Sequence, residues 1–137
     1  LSAKPVRVLV VDDEVDFASA LALRLRRRGF AAAEAYFGED GAARVEHGDI
    51  AVVVLDLKMP GSDGLHTLRR IRRAAPGVRV IVLTGHGTVA AGVAGMQGGA
   101  DDFLLKPVDL DTLCAAILTA AEPRAMTVTA SGEGENQ

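Results

Sequence analysis

The stretch Ile50-Ala51-Val52-Val53-Val54-Leu55-Asp56-Leu57 decides the fold. Its apolar run, rich in β-branched residues, reads as a strand covered on both faces, the usual state of a parallel sheet. Asp56 then sets an ionised carboxylate at the end of a buried strand, which is expensive unless something pairs with it. Three other strand-like runs end in polar groups too. Val6–Val11 ends in Asp12-Asp13-Glu14, Val78–Leu83 ends in Thr84, and Phe103-Leu104-Leu105 ends in Lys106-Pro107. Open α/β sheets place their chemistry at the carboxyl ends of their strands.

Working outward, strand-like runs alternate with helix-like segments five times. Phe17, Leu21 and Leu25 follow the first strand at helical spacing, up to Arg28, with Gly29 as a stop. An Ala-rich second strand is expected over Phe30–Tyr36, then a short helix around Asp40–His47. A loop from Met59 to Gly64 precedes a helix of Leu65–Ala74, and a fourth helix is expected over Thr88–Met96. In the last helix Leu110, Leu113, Cys114, Ile117, Leu118 and Ala121 form one apolar stripe, and Asp109 is a good N-cap. This alternation predicts an α/β fold, a doubly wound (βα)5 parallel sheet of five strands in the order 2-1-3-4-5. The ordered domain is expected over 6–121, with 1–5 a disordered N-terminus and 122–137 a disordered tail or a truncated linker.

Composition narrows the class. The chain has 137 residues, enough for about one domain, with 49% hydrophobic and 4% aromatic content, so the core is aliphatic. A net charge of −3 supplies no basic field for nucleic acid. The single Cys114 forbids an internal disulfide and fits a reducing compartment. No apolar stretch approaches the roughly 20 residues that span a bilayer, and no secretory signal opens the chain. The expected location is cytoplasmic, with no membrane contact. The missing initiator Met is read as a processed or excised chain.

In a 2-1-3-4-5 sheet the first and third strands are neighbours, so Asp12, Asp13 and Asp56 meet in one pocket. Carboxylates so close repel and raise one another's pKa. A hard divalent cation, Mg²⁺ (or Mn²⁺), resolves this because it takes oxygen ligands. A directly bound cofactor phosphate would want glycines and amides after the first strand, not three acids. Thr84 and Lys106 face the same pocket and offer a hydroxyl and an ammonium to a phosphoryl group. The chemistry suggested is attack of the Asp56 carboxylate on phosphorus, giving an acyl phosphate.

Val10-Val11-Asp12-Asp13-Glu14, Leu55-Asp56-Leu57-Lys58-Met59-Pro60-Gly61, Asp63-Gly64, Leu83-Thr84-Gly85-His86-Gly87, Gly99-Ala100-Asp101-Asp102-Phe103 and Lys106-Pro107 together resemble the receiver domains of two-component response regulators. The Thr84–Gly87 and Lys106-Pro107 contexts look most like the nitrogen-regulator type. The resemblance implies a flavodoxin-like fold and a phosphoryl group received on Asp56 from a sensor histidine kinase or phosphotransfer protein. It implies that Asp13 binds Mg²⁺ directly and Asp12 mainly through water, while Lys58 gives its backbone carbonyl. Lys106 would pair with a phosphoryl oxygen, Thr84 would move its hydroxyl onto the group, and the bond before Pro107 would be cis. Phe103 holds the switch aromatic position without a phenolic hydroxyl, so it can act only by packing. The fourth helix, fifth strand and fifth helix would form the output face, toward an unknown output domain or protein, and the resemblance allows a homodimer there. Direct nucleic-acid binding is not expected of this segment.

Plainer readings compete. Each acid alone could cap a turn, Lys106 alone could be a solvated lysine, and Phe103 could be ordinary core. Cys114 reads as core filler rather than a reactive thiol. The arginine runs at 24–28 and 69–73 read as solvated helix faces, with Arg24 and its neighbours a weaker kinase-docking candidate. His47 and His66 carry no signal. Lys58 and His86, two residues beyond Asp56 and Thr84, are expected at the pocket mouth, where they would modulate the lifetime of the acyl phosphate. Gly92 and Gly95 in the fourth helix suggest either a soft helix or close packing against a neighbour. A haloacid-dehalogenase-like phosphatase is a rival, but it wants a carboxylate where Lys58 stands and its metal acids late in the chain. A receiver-like module that is never phosphorylated is the second rival.

Overall fold

The structure, a computed structural model, describes residues 4–59, 62–85 and 89–123. In chain order the elements are β1 (Arg7–Val11), α1 (Val15–Arg27), β2 (Ala31–Ala35), α2 (Gly38–Glu46) and β3 (Val52–Leu55). A small hairpin of β4 (Lys58–Met59) and β5 (Ser62–Asp63) follows, where a loop was expected. Then come α3 (Gly64–Ala74), β6 (Arg79–Thr84), α4 (Val89–Gln97), β7 (Asp102–Leu105) and α5 (Leu110–Ala121). The large sheet is parallel with order β2-β1-β3-β6-β7. Counting its own strands, that is the expected 2-1-3-4-5.

Alternation along each strand divides the core into two layers. Leu9, Val11, Val53, Leu55, Val80 and Val82 meet α2 and α3 through Ala42, Val45, Leu68 and Ile71. Val8, Val10, Val52, Val54, Ile81 and Leu83 meet α1 and α5 through Ala18, Leu21, Leu25, Leu113 and Ile117. The pairs Val8↔Val52 and Leu9↔Val53 keep like faces in line, so both layers are continuous. Each fully buried aliphatic side chain contributes about 1.5–3 kcal/mol. That burial holds the strand ends, and with them the polar groups, in register.

The helix stops follow local chemistry. Gly29 ends α1 with φ +97°, a conformation that a Cβ would strain. At α5, the Asp109 carboxylate accepts from the Thr112 backbone N–H at 3.1 Å, as expected of its N-cap. Leu118 departs from the expected stripe. It is 52% exposed and borders a groove with Lys4, Val6, Arg28 and Phe30, so the buried seam of α5 is Leu113, Cys114 and Ile117.

Of the arginines read as solvated, Arg72 is half-buried and tied down. Arg72 donates to the Val78 carbonyl and, at 3.4 Å, to Asp101. Arg26 donates to the Ala32 carbonyl at 2.8 Å, and Arg28 pairs with Asp111 at 2.8 Å. Arg24, Arg26, Arg27, Arg28, Arg69 and Arg73 are exposed as expected. In α4 the close-packing reading fits Gly92 but not Gly95, where a Cβ would make only ordinary contacts. A Cβ on Gly92 would meet the Phe103 ring at 3.3 Å, and one on Gly95 would sit 3.6 Å from Leu57.

Candidate functional site

Asp12 and Asp56 are the first residues beyond β1 and β3, and the sheet holds both. The Asp12 N–H donates to the Ala35 carbonyl and the Asp56 N–H to the Val11 carbonyl, each at 3.0 Å. Their residues are only 2% and 4% exposed. Asp13 is half-buried beside them. One carboxylate oxygen from each of Asp12, Asp13 and Asp56 lies within 4.8 Å of the others. The predicted acidic pocket therefore exists.

Thr84 closes β6 and is buried. The Lys106 N–H donates to its carbonyl at 2.9 Å, which sets the two predicted phosphoryl-binding residues side by side. The Lys106 side chain then reaches across the sheet edge. Its Nζ is 2.7 Å from Asp12, 2.9 Å from Glu14 and 3.4 Å from Asp56. It also lies over the Phe17 ring, 4.1 Å from the centroid. The Lys106–Pro107 bond is cis, as expected.

Burial raises the Asp12 carboxyl above its usual range. Hydrogen bonds from Lys106 and the Glu14 amide oppose this, and the neighbouring Asp56 charge adds least. At Asp12 desolvation thus outweighs the mutual repulsion expected from the sequence. For Lys106, burial pulls the ammonium down, but its bonds to Asp12 and Glu14 and the charges of Asp12 and Asp56 outweigh it. The result is pushed up to about 12.

One ammonium stands against four carboxylates here, and all the donors are hard oxygens. That donor set fits a small divalent cation, whose charge would offset what Lys106 leaves over. Asp12, Asp13 and Asp56 are the residues that would hold it.

Phe103 is half-buried in β7 and packs beneath α4 at Gly92. Gly64 matters as well, because a Cβ there would collide with the Leu57 backbone. That close approach pins the start of α3 to the segment just after Asp56. His86, Gly87, Pro60 and Gly61 lie outside the described residues, as do the Lys58 side chain and the segments 1–3 and 124–137. Sequence reasoning gave no role to Glu14 or Phe17. Glu14 could have been suspected from its place in the acidic triplet, but Phe17 reads only as a helix core position.

Residues 8–118 match the sequence model of the response regulator receiver domain. The chain belongs to that family. This receiver is 38% identical over 125 residues to the transcriptional regulatory protein GlrR of Escherichia coli, covering 91% of the chain and 28% of the relative. It is 41% identical over 112 residues to the transcriptional regulatory protein TcrA of Mycobacterium tuberculosis, covering 82% of the chain and 44% of the relative. The chain thus spans less than half the length of either. Among solved structures, a response regulator from Burkholderia pseudomallei with a phosphorylated aspartic acid, calcium ion and citrate superposes with a TM-score of 0.78 at 28% identity. That match covers 93% of this chain and 75% of the other. The receiver is a phosphoacceptor switch of a two-component system, and its relatives agree with the nitrogen-regulator-type context.

Proposed function

We propose that Asp56 is the phosphoacceptor of this receiver. The observation that carries the reading is the meeting of Asp12, Asp13, Asp56 and Lys106 at the carboxyl edge of the sheet. An Asp56 oxygen attacks phosphorus, the phosphorus–nitrogen bond to a kinase phosphohistidine breaks, and the imidazole leaves with the bonding pair. Lys106 Nζ meets a phosphoryl oxygen, and the Thr84 hydroxyl moves to another. Bound Mg²⁺ (or Mn²⁺), held by Asp12, Asp13, Asp56 and the Lys58 carbonyl, would neutralise charge on the phosphoryl oxygens. Hydrolysis reverses the state: water attacks phosphorus, the acyl phosphate bond breaks, and the Asp56 carboxylate is restored. The chain therefore catalyses only its own phosphotransfer and dephosphorylation.

Residues 6–121 form the switch, and Phe103 relays its state toward the face of α4, β7 and α5. That face meets an output domain or protein, or a second copy of the chain. A sensor histidine kinase or phosphotransfer protein is the donor, in the cytoplasm. Lys58 and His86 set the lifetime of the product, so Lys58→Ala or His86→Ala changes the decay of phosphorylated protein more than it changes folding stability. Equal decay in both variants and the wild type would refute this.

Incubation with acetyl phosphate and Mg²⁺, followed by intact mass, tests the assignment. One added phosphoryl group, labile to hydroxylamine and absent from Asp56→Asn, is expected. Multiple turnover of phosphomonoesters would favour the dehalogenase-like phosphatase. No adduct with any donor would favour an inert interaction module.

A further inference from the structure

We infer that Phe17 is a positioning residue for phosphotransfer, holding the Lys106 ammonium over its ring face so that N–H groups stay available for the incoming phosphoryl oxygen. The inference rests on the reading of Lys106 as the group that meets that oxygen.

Lys106 is mounted just past β7, while the acids it must serve stand beyond β1 and β3. A long, rotatable side chain has to be held across that gap. Its side chain is only 13% exposed, so water can do little to fix or solvate the ammonium. In the structure the ammonium has two kinds of partner. Asp12, Glu14 and Asp56 accept hydrogen bonds from it, and Phe17 presents a ring face 4.1 Å away.

The two kinds differ in what they consume. A carboxylate attracts the cation but takes one of its three hydrogens. Asp12 and Asp56 are also the residues expected to turn toward a divalent cation, which would loosen their hold on Lys106. Glu14 remains, but its side chain is 65% exposed and so a poor fixed anchor. An aromatic face attracts through its quadrupole, accepts no conventional hydrogen bond and ligates no hard metal. Phe17 can therefore hold the ammonium through the change of partners at Asp12. Its own position is secure, since it packs on the layer built by α1, α5 and the sheet.

Site-specific fluorination of Phe17 tests this, because each added fluorine weakens the ring quadrupole with little change of shape. With acetyl phosphate and Mg²⁺, the rate of Asp56 phosphorylation should fall stepwise along the mono-, di- and trifluoro series. The trifluoro form and Phe17→Leu should be about tenfold slower than wild type, and Phe17→Tyr close to it. A second readout needs neither metal nor donor. The Lys106 ε-methylene protons should show an upfield ring-current shift in wild type and Phe17→Tyr that Phe17→Leu loses. Rates that stay flat across the fluorinated series, or an ε-methylene shift unchanged in Phe17→Leu, would overturn the inference and leave Phe17 as packing. A wild type that takes no phosphoryl group would overturn the phosphoacceptor reading and this inference together.

Discussion

Lys106 and Asp12 face each other at 2.7 Å, yet titration moves their contributions to stability in ways a simple ion pair would not suggest. The Asp12 carboxyl is raised, mainly by burial, above its ordinary 3.8. A raised acid favours the folded state when protonated, so at neutral pH the ionised group costs stability. In metal-free buffer Asp12→Asn should therefore melt above wild type at pH 7. The advantage should shrink as pH falls toward 3.8. Lys106 is not orphaned by this change, because Glu14 and Asp56 remain within reach. Thermal denaturation of the two proteins across pH checks it. For Lys106 itself the folded value lies near 12 against an ordinary 10.5. Its contribution is thus complete below pH 10.5 and lost as pH rises through about 12. Wild-type stability should fall more steeply than that of Lys106→Met in that window, measured by urea unfolding.

Among the elements, the junction of β6 and β7 has a fastening of its own. One Asp101 carboxylate oxygen accepts the Val80 N–H at 2.7 Å and Arg72 Nη2 at 3.4 Å. The Asp101 N–H returns to the Val80 carbonyl at 2.7 Å. Asp101→Ala would leave the Val80 N–H without that acceptor at the head of β6 and should cost about 1–3 kcal/mol in urea unfolding. A loss under 0.5 kcal/mol would contradict the idea that this residue fastens the edge strand. The arginine cluster of α3 did not disclose this role in the sequence. Consecutive basic residues on a helix cannot be sorted into solvent-facing and sheet-facing ones without the crossing geometry. By contrast β3 was plain, since Val52–Leu55 has no polar residue to contradict burial. The hairpin of β4 and β5 was not, because two-residue strands leave no periodicity to read.

At the scale of the molecule, the acids of the site were legible because each stands at the end of a strand and the sheet order makes two of those strands neighbours. Phe17 was not legible. Its spacing to Leu21 and Leu25 describes a helix face, and nothing local reveals that Lys106, far along the chain, ends above its ring. Metal binding should be felt by the whole fold. A ligand that binds only the folded state stabilises by about 2.7 kcal/mol at a hundredfold excess over its Kd. Mg²⁺ should accordingly raise the wild-type Tm, and Asp13→Asn should lose most of that shift. An equal rise in both proteins would argue against the acidic pocket as the site.

The order β2-β1-β3-β6-β7 places β7 at the margin, bonded to β6 alone. Asp12 and Asp56 follow β1 and β3, each clamped between two neighbours, whereas Phe103 and Lys106 belong to the marginal strand or its end. The sheet, with β2 as its other margin, is stiffest in the middle. Its interior forms a stiff seat for the charge, and its rim can shift by straining one ladder rather than two. A group arriving on Asp56 would find the seat unyielding, while Lys106, carried at the end of a marginal strand, could follow it by straining a single ladder.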